Sequence, residues 1–206
     1  MKKSDEKRQL ILDTAYRLFS SKGFDRTSMS EVTAEVGGSK ATIYNYFTSK
    51  EELFVECMYS VIENYLEGIF SPLRDPKTSM PLALGKSGDN ALRMLCDPQM
   101  VATRRLLIAE AGRLGIGKLW YEKISLRLEE LAVYLEMCMK DRKLRKADPN
   151  IAATQLRALL EAEVSEPLLL QALDATPSDR MLKKAAARAV ETFLRAYAPE
   201  EGISNE

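Results

Sequence analysis

The sequence predicts an all-α protein of about nine helices: a three-helix, helix-turn-helix domain over residues 1–50, then a larger helical domain over residues 51–206. Three observations carry this. Apolar residues recur at three- and four-residue spacing along nearly the whole chain, and no stretch alternates as a strand does. Ser28/Glu31 and Ser49/Glu52 are Ser-x-x-Glu pairs, the pattern in which two side chains satisfy backbone N–H groups left free at a helix start. Gly37-Gly38-Ser39 joins two short periodic segments through a turn of three residues.

The first helix shows an apolar stripe of Leu10, Ile11, Ala15, Leu18 and Phe19, and Gly23 ends it before Phe24. The second runs from about 29 to 36, with Met29, Val32 and Val36 at helical spacing. Gly37 and Gly38 end it because glycine takes positive φ without strain, and Ser39 is placed to cap the third. Ile43 and Phe47 then fall on one face as anchors, while Ala41, Thr42 and Asn45 point the other way, flanked by Lys40, Tyr44 and Tyr46. The fourth helix opens at Ser49, runs through Leu53, Phe54, Cys57, Met58, Val61, Ile62 and Tyr65 towards Ile69, and should end before Pro72. Residues 71–81, with three prolines, read as a loop. Helices follow at about 82–96, 99–112, 117–142, 149–174 and 178–197, with Pro167 expected to bend the penultimate one and Pro199–Glu206 read as a frayed tail.

Composition narrows the function. The chain carries 30 Lys and Arg against 30 Asp and Glu, yet basic side chains outnumber acidic ones in the first fifty residues, which directs a nucleic acid to that end. Lys2, Lys3, Lys7 and Arg8 make up much of the excess, in an arm that either lies along a groove or is solvated. No apolar run is long enough to span a membrane and the N-terminus lacks a signal peptide, so a cytoplasmic location is expected. Histidine is absent, which removes the commonest general base and most zinc ligand sets, and no nucleophile motif or Gly-rich phosphate loop replaces it. An enzyme is therefore not expected, and neither a cofactor nor a metal. Cys57, Cys96 and Cys138 are far apart in sequence and read as buried thiols, or as a redox pair.

The third helix is the most informative element. Two tyrosines and an asparagine beside a small alanine on an outer face give up helix propensity at the tyrosines and the asparagine, so that face is built to touch something, and a short helix launched from a tight turn suits a DNA groove. Packing residues are the alternative for Tyr44 and Tyr46.

The run of Phe24, Thr27, Gly37, Ser39, Thr42, Tyr44, Tyr46, Phe47, Ser49, Lys50 and Leu53 resembles the N-terminal signature of the TetR family of transcriptional regulators. Gly38 departs from the family pattern, which usually has an apolar residue there. Residues 104–131, RRLLIAEAGRLGIGKLWYEKISLRLEEL, are more loosely similar to the AcrR/AefR-like branch. The resemblance implies that Lys40, Ala41 and Tyr44 approach base edges or the adjacent backbone of a double-stranded operator, and that Thr27, Ser39, Thr42, Asn45, Tyr46 and Lys50 hold phosphates. Asn45 stays open to both roles, since asparagine can pair with adenine. It implies a cavity for a small-molecule effector in the second domain, with Leu95, Met100, Leu107, Trp120, Tyr121, Leu128 and Tyr134 as candidate lining. It further implies a homodimer through the last two helices, whose stripes are Leu156, Leu160 and Val164, and Leu182, Ala186, Ala189, Val190, Phe193 and Tyr197. The same stripes could instead serve the monomer core. The expected function is a ligand-responsive repressor released from a palindromic operator by a small hydrophobic or aromatic effector. The alternative is an effector-independent DNA-binding protein whose C-terminal domain contacts another protein.

Overall fold

The computed structural model describes residues 3–173 and 176–199, and it is all-helical over them. Its helices are α1 (Lys3–Lys22), α2 (Met29–Val36), α3 (Lys40–Tyr44), α4 (Lys50–Arg74), α5 (Met80–Cys96), α6 (Pro98–Glu110), α7 (Ile116–Lys140), α8 (Pro149–Ala162), α9 (Ser165–Leu169) and α10 (Asp179–Ala196). Lys2, Asp174 and residues 200–206 of the expected arm, penultimate helix and tail lie outside the described residues. No described helix is long and apolar enough to cross a membrane. The three cysteines are buried thiols, and burial holds the Cys57 thiol well above its usual pKa.

The chain folds into two compact units. The first comprises Met1–Asn64 and Ala102–Lys123, the second Tyr65–Val101 and Ile124–Glu206. This differs from the boundary expected after residue 50, and the reason lies in one core. Ile11, Leu12, Ala15, Leu18, Phe19, Phe24, Met29, Val32, Val36, Ile43 and Phe47 share a cluster with Leu53, Phe54, Cys57 and Met58 of α4 and with Leu107 and Ile116 from the α6–α7 corner. Leu10, expected in the stripe of α1, is exposed instead. The corner turns through positive φ at Leu114 and Gly115 and is closed by the Gly117 amide donating to the Ala111 carbonyl at 3.1 Å. Gly117 is needed there, since a Cβ would lie 2.8 Å from that carbonyl oxygen. The Arg113 guanidinium donates to both oxygens of Asp25, at 2.6 and 2.8 Å, a two-pronged match of planar groups.

The second unit is built on α5, which packs against α8 and α10. Gly88 marks the close approach: a Cβ there would meet Val190 at 3.1 Å and Leu160 at 3.2 Å. On α10, Phe193 stacks on Tyr197 at 4.5 Å, and the Tyr197 hydroxyl donates to Gln155 on α8 at 2.6 Å. Leu156, Leu160, Val164, Leu182, Ala186, Ala189, Val190, Phe193 and Tyr197, the expected dimer set, are all buried within this core. Their stripes are spent inside one chain, on α5 and on each other.

Proline placement corrects two boundaries. α4 continues through Pro72 to Arg74, shrinking the expected loop to Asp75–Ser79. Pro72 cannot donate to the Gly68 carbonyl one turn back, and the Asn90 side-chain amide takes that acceptor at 2.6 Å. Within the loop, Asp75 accepts from the Thr78 hydroxyl and the Lys77 amide, contacts that hold its carboxyl below the usual carboxylate range. Pro167 breaks rather than bends its helix. α8 stops at Ala162, Val164 leaves helical geometry at φ −129°, and α9 restarts with Pro167 in its first turn, where a missing N–H costs nothing.

Two substitutions test this core. Gly88→Val should overpack the α5 crossing and destabilise by about 2 kcal/mol. Phe193→Ala should cost about 3–5 kcal/mol through the cavity it leaves. Both are measured by urea unfolding followed by circular dichroism, at a protein concentration that keeps the association state fixed.

Candidate nucleic-acid interface

α3 is set by its two ends. At the front, Ser28 caps α2 by accepting from the Glu31 amide at 3.1 Å, α2 closes at Gly37 with φ +72°, and Gly38 follows at φ +120°. Ser39 then caps α3, accepting from the Thr42 amide at 3.2 Å, with its hydroxyl 3.0 Å from that of Thr42. At the back, the Ser49 hydroxyl accepts from the Glu52 amide, while the Glu52 carboxylate reaches back to the Thr48 amide and hydroxyl, each at 2.6 Å. The expected Ser49/Glu52 box is thus formed with Thr48 as its second partner. Glu31 instead pairs with Lys22.

Ile43 and Phe47 are buried and fix the inner side of α3. Ser39, Lys40, Ala41, Tyr44 and Asn45 are exposed and form its outer side, with Tyr44 leaving 42% of its surface in solvent. Thr42 and Tyr46 are half-buried at its flank. These side chains offer hydroxyl, amide and ammonium donors on one convex edge, the equipment needed for base edges and phosphates.

Two expected contacts do not join this edge. Thr27 is 1% exposed and its hydroxyl donates to the Gly23 carbonyl at 2.9 Å, so it closes the α1–α2 turn. Lys50 is half-buried with its ammonium 4.2 Å from the centre of the Phe24 ring, and desolvation lowers its pKa. The N-terminal arm also differs from expectation, since it is helical from Lys3. Lys7 donates to the Val36 and Gly37 carbonyls, and Arg8 pairs with Glu56 at 2.8 Å.

In the second unit an open cleft of about 1090 Å³ lies between the end of α4, the Asp75–Ser79 loop and the C-terminal part of α7. Phe70, Leu73, Val133, Tyr134, Met137 and Cys138 supply its apolar wall. Arg74, already bound to Glu67 and Glu130, lies on its rim with Lys77 and Asp141. Burial pushes the Tyr134 hydroxyl up to about 12, so it remains a neutral phenol hydrogen bonded to Cys138. Of the expected pocket residues only Tyr134 lines this cleft. Leu95 and Met100 are buried, Leu107 belongs to the core of the first unit, and Trp120 packs against that core beside Tyr59. Leu128 is half-buried and Tyr121 is exposed. The missed signal was the spacing of Leu126, Val133 and Met137, apolar residues on a helix face that the monomer leaves exposed.

Comparison with known proteins bears on family and fold. The sequence profile of the bacterial regulatory proteins of the tetR family matches residues 11–57, and that of the AefR-like transcriptional repressor C-terminal domain matches residues 83–199. The nucleoid occlusion factor SlmA of Photorhabdus laumondii is 26% identical over 80% of this chain and 83% of its own length. The uncharacterized HTH-type regulator YuxN of Bacillus subtilis is 38% identical over 35% of this chain, which spans only 24% of that relative. Among solved structures, a protein from Mesorhizobium loti assigned to the TetR family superposes with a TM-score of 0.80 at 30% identity, covering 96% of this chain and 100% of that one. The flavonoid-responsive regulator FrrA superposes with a TM-score of 0.79 at 28% identity, with the same coverage.

Truncating Tyr44 to Ala removes an exposed side chain with no core to disturb. Its affinity for a duplex selected by the wild-type protein should fall tenfold to a hundredfold, on the order of 1–3 kcal/mol, with the unfolding midpoint unchanged. Fluorescence anisotropy and circular dichroism read the two quantities.

Proposed function

Since the chain belongs to the TetR family of bacterial transcriptional regulators, DNA-binding proteins rather than enzymes, we propose that it is a ligand-responsive repressor acting as a homodimer on a palindromic operator. The observation that carries the reading is the division of α3 and the turn that follows it: Ile43 and Phe47 buried, and Lys40, Ala41, Tyr44 and Asn45 turned outward. Lys40, Ala41 and Tyr44 lead into the major groove, and Ser39, Thr42, Asn45 and Tyr46 seat the helix on phosphates.

The cleft supports the ligand-responsive part. Its volume suits a drug-sized molecule, and its lining balances Arg74, Lys77, Arg127 and Lys143 against Asp75, Glu129, Glu130 and Asp141, so it favours an uncharged guest. The likeness to FrrA, a flavonoid-responsive regulator, points to the same class, a flat aromatic effector. α4 and α7 connect cleft to head by chain continuity. α4 carries Leu53 and Phe54 in the first core and Phe70 and Leu73 in the cleft wall, and α7 carries Ile116 in that core and Val133 and Met137 in the wall. An effector that binds better to one setting of these helices shifts the population of heads able to span two half-sites.

Dimerisation uses the faces of α8 and α10 that the monomer core leaves open. Ile151, Thr154 and Ala158 on α8 are exposed, as are Met181 and Arg188 on α10. The second reading is an effector-independent DNA-binding protein whose helical domain engages another protein, and similarity over four-fifths of the chain to SlmA, a nucleoid occlusion factor, is compatible with it.

Three measurements test these claims. Titrating a flavonoid into the protein bound to its selected duplex should release the DNA. Val133→Trp, which projects an indole into the cleft, should weaken release while leaving DNA affinity within about twofold of wild type. If no flavonoid binds and DNA is retained throughout, the second reading replaces the first. Ile151→Arg should give a folded monomer by sedimentation velocity, and a persistent dimer would move the interface elsewhere.

A further inference from the structure

α3 is five residues long, too short to be stable by itself, and the turn before it is held locally by two devices, the Gly37 amide on the Thr33 carbonyl and the Ser39 cap. Gly37 and Gly38 bring no side chains of their own; a Cβ built at Gly37 would meet no atom within 4 Å, and one at Gly38 would touch only Thr42 of α3, at 3.6 Å. Ile43 and Phe47 anchor the inner side of the helix, and contacts that reach the turn from outside add to what sets its angle.

One face of α1 is placed to do so. Ser4, Lys7 and Arg8 lie three and four residues apart and point together. The Lys7 ammonium donates to the Val36 carbonyl at 3.1 Å and the Gly37 carbonyl at 2.9 Å. These are acceptors that the end of α2 leaves free, at the negative pole of that helix, and α2 has no basic residue in its own last turn. Beyond α3, the Arg8 guanidinium sits 5.4 Å from the centre of the Phe47 ring while bound to Glu56, and the Ser4 hydroxyl is 3.4 Å from that of Tyr46. α1 thus grips the chain immediately before and immediately after α3.

We propose that Lys7 is a positioning residue for DNA recognition: it sets the entry angle of α3 by holding the glycine turn, and so governs sequence selectivity rather than neutralising a phosphate. The proposal rests on α3 as the element that reads DNA. A positioning role and a phosphate contact make opposite predictions for salt. Losing a phosphate contact weakens all duplexes alike and lowers the salt dependence by about one counterion, whereas a displaced helix weakens the specific duplex and leaves that dependence unchanged.

The test uses the full-length protein, a duplex selected by wild type from a random library, and a scrambled duplex of the same composition. Lys7→Met keeps most of the aliphatic stem and removes the donors. It should lower affinity for the selected duplex at least tenfold, hold the scrambled duplex within about twofold, and leave the slope of log K against log salt unchanged. Lys7→Gln, with a shorter amide donor, should fall between. Equal loss on both duplexes with a slope smaller by about one would overturn the proposal in favour of a phosphate contact, and unchanged selectivity in both variants would overturn it outright. Tyr44→Ala, run alongside, separates the two assignments. If that variant keeps its selectivity, the reading of α3 has failed. If it loses selectivity while Lys7→Met does not, only the role of Lys7 has failed.

Discussion

The Phe24 ring lies edge-on to Phe54 at 5.2 Å and stacked on Phe19 at 5.8 Å, with the Lys50 ammonium 4.2 Å and the Arg113 guanidinium 5.9 Å from its centre. Four segments meet on this one side chain: the end of α1, the turn into α2, the start of α4 and the α6–α7 corner. The ring is buried, so its packing is worth on the order of 2 kcal/mol, and the two cations add a directional term. Without it neither the α1–α2 turn, closed by Thr27, nor the corner, closed by the Arg113–Asp25 pair, would have a common surface to lie against.

Hydroxyl and ammonium groups in the DNA-binding unit divide between scaffold and surface. Thr27, Lys7 and Lys50 are turned onto carbonyls or a ring, whereas Lys40, Tyr44 and Asn45 are left to solvent. The excess of positive charge near the N-terminus is thus only partly available to DNA. Much of it stiffens the platform from which a very short helix projects.

The sequence made the helical elements and the turn legible because their signals are local. A capping serine, a glycine with positive φ or an apolar repeat acts within one turn of chain, and Ser28, Ser39 and Ser49 cap where they were expected to. What was illegible depended on distant partners. Pro72 continues its helix because Asn90, eighteen residues later, takes the orphaned carbonyl. The stripes of α8 and α10 carry the same pattern whether they face a second copy or their own core, and what buries them, α5 approaching closely at Gly88, is distant in sequence. Likewise Leu107 and Trp120 have the composition of a pocket wall, but they are part of or packed on the core around Phe54.

The first compact unit is assembled from two separate stretches of chain, Met1–Asn64 and Ala102–Lys123. Recombination between relatives is constrained accordingly. A chimera that exchanged only the N-terminal sixty-odd residues would leave Leu107, Ile116 and Arg113 facing a foreign surface, with an uncovered core and an unmatched guanidinium. New DNA specificities are thus more readily acquired by point changes at Lys40, Ala41, Tyr44 and Asn45 than by grafting a whole head, because these side chains are exposed and outside that shared core.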